Sequence, residues 1–302
     1  MKADRTRSSM GALRRAAVSV LFGLMVVLPA MPAAAEPLML KPFKDTLFGY
    51  PAILATGDGG ASRVVDYREM RDINGRDEIP ERRVRGEYVS LGVRRQQQEL
   101  VLGGLRHFVV GRAEGARMVT IYLHGQGGNR RQGVDDFTFG GNFNRIKNLM
   151  AENGGLYLSP DVPDFGGRGA SAISALIVHY AARSPGAPVF LACGSMGGAL
   201  CHALAKDTEI APRLGGILLL GSHWDPAFVK SVAFQRRVPL FIGQGSRDTV
   251  FPAEKQEAFF RSILAVKSDY PVRYVSFETG THGTPIRMTD WRETLNWMLS
   301  TR

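Results

Sequence analysis

The chain has 302 residues, of which 44% are hydrophobic and 22% charged, with a formal net charge of +10. That balance is ordinary for a globular protein with a sizeable core, and the length allows one large α/β domain or two small ones. It excludes a repeat architecture or a low-complexity chain, since no internal repeat or long biased tract is present, and no nucleic-acid module is recognisable.

The first 35 residues stand apart. Lys2, Arg5, Arg7, Arg14 and Arg15 make a basic start, Ala16 to Leu28 is an apolar run, and Ala33-Ala34-Ala35 precedes Glu36. Basic, apolar and small-residue regions in that order predict a cleavable export signal and a periplasmic or secreted protein. The alternative is an uncleaved anchor, for which the run is short against the ~20 residues of a spanning helix. Arg14-Arg15 lends the twin-arginine route little support from its flanks. The signal carries five basic side chains and one acidic, so its removal lowers +10 to about +6.

Residues 36–60, rich in Pro and Gly, predict an irregular arm. Residues 63–71 and 82–91 alternate apolar and charged side chains, as edge strands or a hairpin do. Arg82, Arg83, Arg85, Arg94 and Arg95 fall in this region. They can meet anionic lipid or a cell-surface polymer, although a solvated face is the simpler reading. Residues 99–110 predict a strand pair.

From there apolar strands and helices alternate. Strands are expected at 119–123, 156–159, 189–192, 217–220, 239–244 and 272–277, and helices at 143–152, 170–182, 197–204, 253–266 and 289–299. This order predicts a mostly parallel sheet of about eight strands with helices on both faces. Residues 36–98 then supply the arm and edge strands of the same domain, and 99–302 its core. In such sheets ligands gather beyond the carboxyl ends of the strands.

The stretch Val189-Phe190-Leu191-Ala192-Cys193-Gly194-Ser195-Met196-Gly197-Gly198 must reverse direction around Ser195. A strand-to-helix reversal of this kind matches a nucleophile elbow, where a strained serine projects its hydroxyl above the sheet. Cys193 stands where glycine is usual. The plain alternative is a tightly packed turn with no chemistry. Cys193 and Cys201 are the two cysteines. With Cys201 taken as about two turns into the helix, their Cα atoms exceed the ~7 Å bridging limit, so two buried free thiols are expected.

A serine hydroxyl needs an imidazole to take its proton, and the imidazole needs a carboxylate to orient it. Asp248 follows the strand at 239–244 in Gly245-Ser246-Arg247-Asp248, and His282 follows the last strand in Gly280-Thr281-His282-Gly283. Asp225 is the rival acid. His107, His179 and His202 read as structural, and His223, in Ser222-His223-Trp224, as a residue lining the substrate site. Asp161 and Asp164 read as loop formers. No histidine and carboxylate cluster has recognisable metal-ligand spacing.

With His124-Gly125-Gln126-Gly127-Gly128 these segments resemble the α/β-hydrolase superfamily of esterases and lipases. The resemblance runs from about residue 99 to 299 and leaves 36–98 uncovered. It implies an α/β-hydrolase fold with a Ser195, His282, Asp248 triad and a buttressing role for His124. It also implies oxyanion donors at the backbone N–H groups of Gln126 and Met196. Gly125, Phe165, His223, Trp224 and Phe251 are the residues expected around the substrate. About eighteen residues separate 220 from 239, too few for a large cap. The expected reaction is hydrolysis of a carboxylic ester, small or polymeric, without a cofactor or metal. A peptidase or amidase with the same triad, and a non-catalytic envelope binding protein, are the alternatives. Membrane contact is expected only through an uncleaved signal or the basic surface; oligomeric state stays open.

Overall fold

The computed structural model describes residues 38–301. The export-signal reading of residues 1–35 therefore lies outside the described residues. The described residues form twelve strands: β1 (Ile53–Gly57), β2 (Ser62–Val65), β3 (Asp77–Glu78), β4 (Arg83–Val84), β5 (Gln98–Leu102) and β6 (Leu105–Gly111), then β7 (Val119–Leu123), β8 (Leu156–Pro160), β9 (Val189–Ser195), β10 (Leu214–Ser222), β11 (Leu240–Gly245) and β12 (Val272–Phe277). The α-helices are α1 (Asp45–Phe48), α2 (Asn142–Glu152), α3 (Gly167–Arg183), α4 (Gly197–Lys206), α5 (Val232–Gln235), α6 (Ala253–Val266), α7 (Thr284–Met288) and α8 (Trp291–Ser300).

Ten strands make one sheet in the order β1-β2-β12-β11-β10-β9-β7-β8-β6-β5. The run from β8 through β7, β9, β10, β11 and β12 to β2 is parallel, and the hairpins β1–β2 and β5–β6 close its edges antiparallel. Strand side chains alternate between two faces, as the pleat requires. Val119, Ile121, Leu191, Cys193, Ile217 and Leu219 join a core with α3, α4 and α6. Tyr122, Phe190, Ala192, Leu218 and Leu220 join another with α2 and α8. Because both faces are covered, the central strands read as continuous apolar runs rather than alternating ones.

The sheet has ten strands rather than about eight: β1 comes from the expected irregular arm, whereas β2 covers the start of the edge strand expected at 63–71. Residues 53–65 form the β1–β2 hairpin, which pairs in parallel with β12. Every residue of β1 is exposed. A strand without a buried face carries no alternating pattern, so its sequence does not announce it. Residues 82–91 are corrected in the opposite sense. Only Arg83–Val84 is strand, paired with Asp77–Glu78, and 3₁₀ turns follow at Gly86–Tyr88 and Leu91–Gln96. Val84 and Tyr88 are buried against Phe48, so their apolar spacing serves a small local core instead of a sheet edge.

The cysteines are also corrected. Cys193 and Cys201 form a disulfide, with Cα atoms 6.5 Å apart. Cys201 lies one turn into α4, not two. The elbow folds α4 back across the same sheet face to which Cys193 points, and both residues share one core.

Between β10 and β11 the chain makes a 3₁₀ turn (Pro226–Lys230) and α5. Phe228, Ala233 and Phe234 are buried in the core, so this segment packs down and makes no cap. Among the described residues no helix is long and apolar enough to cross a membrane, and no group of three or more His, Cys, Asp and Glu could hold a metal.

Candidate active site

β9 delivers Ser195 at its carboxyl end with φ +52°, in the left-handed region that non-glycine residues seldom occupy. The turn is held from several sides. Ser222 Oγ and the His223 N–H both donate to the Ser195 carbonyl, at 2.7 and 2.9 Å. Gln256 Nε2 donates in turn to the Ser222 carbonyl. A Cβ on Gly194 would lie 2.7 Å from Tyr122 Oη, and one on Gly197 would collide with the Leu123 carbonyl. The elbow thus needs small residues at 194 and 197. It tolerates Cys193, whose side chain points to α4 and not into the turn.

His282, on the loop after β12, places Nε2 3.0 Å from Ser195 Oγ and Nδ1 2.9 Å from Asp248 Oδ2. Asp248 sits on the loop after β11, and its side chain is fully buried. Its Oδ1 accepts the N–H groups of Val250 and Phe251, at 2.8 and 3.0 Å. Its Oδ2 also accepts from Gln244 Nε2 at 3.0 Å. Burial alone would raise this carboxyl, but the hydrogen bonds from His282, Phe251 and Val250 outweigh it and hold it below the ordinary carboxylate range. An acid kept ionised against the Nδ1 side leaves Nε2 free to accept a proton from the serine. Asp225, the rival acid, is engaged elsewhere: it receives Lys206 Nζ at 2.6 Å and caps the following turn through the Ala227 N–H.

The loop after β7 closes over the serine. An ideal Cβ on Gly125 would stand 3.0 Å from Ser195 Oγ. His124 holds this loop, donating through Nδ1 to the Gly125 carbonyl at 2.8 Å and accepting the Val162 N–H at Nε2. Burial pushes its pKa down and keeps it neutral, as that arrangement needs. Gln126 is exposed on the loop, and Met196 stands at the amino end of α4. Among the described residues neither backbone N–H donates to a protein acceptor.

Of the residues expected around a substrate, Phe251 packs on His282 with ring centroids 5.6 Å apart. His223 and Trp224 lie edge-on to Phe251, at 6.4 and 6.1 Å. Phe165 is apart from this group and packs against the α3–α4 core. The remaining histidines are held by their surroundings. His107 Nε2 meets Tyr180 Oη at 2.8 Å, His179 pairs with Arg183, and His202 is buried beside Phe228 and Phe259.

Sequence reading misses Gln244, Ser222 and Gln256, which brace the acid and the elbow. Gln244 offers a signal: it is a buried polar residue closing an otherwise apolar strand, and such groups require partners. Ser222 and Gln256 carry none, because their partners lie far away in the chain.

The fold recurs in known structures. A thermostable esterase superposes with a TM-score of 0.55 at 13% identity, over 69% of this chain and 64% of its own. A protein of unknown function from Agrobacterium tumefaciens, a candidate α/β-hydrolase, does so at 0.52 and 13%, over 68% of this chain and 94% of its own. The chain has the α/β-hydrolase fold. This α/β-hydrolase fold spans less than two thirds of the esterase's length, and at such identity the likeness concerns the fold alone. No family model matches the chain, and no curated protein matches it significantly. In α/β-hydrolase terms, the extra β1–β2 hairpin lengthens the sheet beyond β12, and the β10–β11 connection leaves the carboxyl ends of the strands without a helical cap.

Proposed function

We propose that the chain is an exported serine hydrolase that cleaves a carboxylic ester through an acyl-enzyme. The observation that carries this is the unbroken line from Ser195 Oγ through His282 to Asp248, with hydrogen bonds of 3.0 and 2.9 Å. Ser195 Oγ attacks the acyl carbon as His282 Nε2 takes its proton, and the imidazolium is stabilised by the buried Asp248 carboxylate. The oxyanion that develops accepts the N–H groups of Gln126 and Met196, each contributing about 3 to 4 kcal/mol in the transition state. His282 then gives its proton to the departing alcohol. Water enters, loses a proton to His282 and releases the acid, restoring Ser195.

The open site favours an ester over a substrate that needs enclosure, and the Phe251, His223 and Trp224 group offers an apolar wall for the acyl or alcohol part. Export rests on the sequence of the first 35 residues. The test is labelling of the mature protein by a fluorophosphonate probe together with hydrolysis of short nitrophenyl esters. Both are expected to vanish in Ser195→Ala, and activity persisting in that variant ends the reading.

A further inference from the structure

Residues 36–98 do more than extend the sheet. Leaving β2, the chain runs beside the loop that carries His282 and grips it at both ends. Before His282, the Glu278 N–H donates to the Val65 carbonyl at 2.9 Å, and Thr279 Oγ1 to the Tyr67 carbonyl at 3.0 Å. After His282, Arg287 of α7 reaches back to the same segment. Its Nη1 donates to the Asp72 carbonyl at 3.0 Å, and its two terminal nitrogens meet Asp77 Oδ1 and Oδ2 at 3.1 and 2.7 Å.

The second grip is built for geometry. α7 has five residues, too few to hold themselves as an isolated helix, and it begins two residues after His282. Its position is therefore set by its partners. Asn142 donates to the carbonyls of Ile286 and Thr289, and Arg287 forms its fork with Asp77. Asp77 is 1% exposed and Arg287 8%. An ideal Cβ on Gly140 would lie 3.0 Å from Arg287 Nη1, so the guanidinium is confined on that side as well. A buried ion pair gains little stability over apolar side chains of the same volume, whereas a bidentate fork fixes the mutual orientation of its partners. The segment bearing Asp77 is itself stiffened by a second buried acid. The Asp72 carboxylate accepts the Arg68 N–H at 2.9 Å and pairs with Arg71 and Arg76 at 2.7 and 3.2 Å. Among the described residues, neither Asp77 nor Arg287 is hydrogen-bonded to the triad, so any effect on it must pass through the loop.

We propose that Asp77 and Arg287 are positioning residues for the general base. Through their ion pair, with Thr279 gripping the other end, the segment after β2 fixes the loop so that His282 Nε2 stays within reach of Ser195 Oγ. That His282 is a base rests on the hydrolase reading above; that it is held in place rests on these contacts alone.

Two measurements on the mature protein test this. The first is the downfield proton resonance of His282 Nδ1–H, hydrogen-bonded to Asp248 and identified by its absence from Asp248→Asn. It needs no substrate, so it reports on His282 even in a chain without esterase activity. Asp77→Asn is expected to broaden or shift it. Ile263→Ala, a truncation of a buried side chain in the last turn of α6, lowers the thermal midpoint and leaves the resonance in place. The second is the kinetics of short nitrophenyl esters well below the midpoint of each variant. Asp77→Asn is expected to lower kcat about tenfold or more with KM within about twofold, the mark of a contact that matters in the transition state. Arg287→Lys, which keeps the charge and loses the fork, is expected to do the same. Asp77→Asn combined with Arg287→Lys loses no more than the worse single variant, because both cut one link. Either measurement unchanged in Asp77→Asn overturns the proposal, as does an equal loss of kcat in Ile263→Ala or a combined loss that is the product of the two singles. If Asp77→Asn does not fold, Thr279→Val takes its place. It removes only the hydroxyl donated to Tyr67 and lowers kcat severalfold, while Thr279→Ser restores the parent value. A parent protein that shows the resonance but hydrolyses no ester ends the hydrolase reading and leaves the holding of His282 to be decided by the resonance.

Discussion

Gly125 and Ser195 are packed so closely that an ideal Cβ on the glycine would lie 2.5 Å from the serine Cβ. Hydrogen is the only substituent that position accepts. Gly125→Ala must displace either the serine or the glycine loop, while the surrounding core is untouched. A misplacement approaching 1 Å costs on the order of 100-fold in turnover. Esterase kinetics should show that loss in kcat with the thermal midpoint little changed; full activity in Gly125→Ala refutes the packing described.

The two candidate acids predict opposite outcomes. Asp248→Asn should lower kcat by about 10⁴-fold, since the amide no longer holds the imidazole in the right tautomer. Asp225→Asn breaks only an ion pair with Lys206 and a turn cap. Its activity should stay within about twofold, with stability lower by about 1 kcal/mol. Steady-state assays of the two variants decide between them, and a reversal of this order reassigns the acid.

Gln244 has no chemical role of its own, yet its Nε2 bridges Asp248 Oδ2 and the Phe251 carbonyl at 3.0 and 2.8 Å. Gln244→Leu leaves both acceptors short of a donor in a buried site. A loss of about 1 to 3 kcal/mol in stability is expected, with a fall in kcat that exceeds any change in KM. Unaltered chemical denaturation curves for this variant would falsify the bracing role.

Acid should unfold the protein through His202. Burial pushes its pKa down to about 4. The unfolded chain, at an ordinary value of ~6.5, binds a proton that the folded chain refuses, so stability falls as pH drops from ~6.5 towards 4. The total is on the order of 3 kcal/mol. Asp248 works in the other range: its folded pKa is depressed, so its contribution is full above the ordinary carboxylate value and is lost only below it. Melting midpoints measured across that interval should slope less in His202→Gln than in the parent chain. Parallel slopes would remove His202 from the account.

The Cys193–Cys201 disulfide closes a short loop around the nucleophile, with a sequence separation of 8. Loop-closure entropy assigns such a crosslink about 2 to 3 kcal/mol. The double variant Cys193→Ala with Cys201→Ala should lose stability of that order under oxidising conditions. Thiol titration of the denatured, unreduced parent chain should find no free cysteine; two free thiols there contradict the pairing.

Reading the chain alone yields the alternation of buried strands and helices, because continuous apolar runs such as Phe190 to Ala192 and Leu218 to Leu220 are set by local composition. It also yields the order Ser195, Asp248, His282 on loops after strands, because small and polar residues must interrupt those runs wherever the chain turns. Folding in three dimensions decided the rest. Strand β1, exposed throughout, has no pattern to read; it is held by β2, whose pairing is supplied by β12. The reach from Cys193 to Cys201 depended on how sharply the elbow turns α4 back. The braces from Ser222 and Gln256 join segments distant in the chain. Periodicity records which face of an element is buried, but not which distant side chain it meets there; that is settled by the path of the backbone between them.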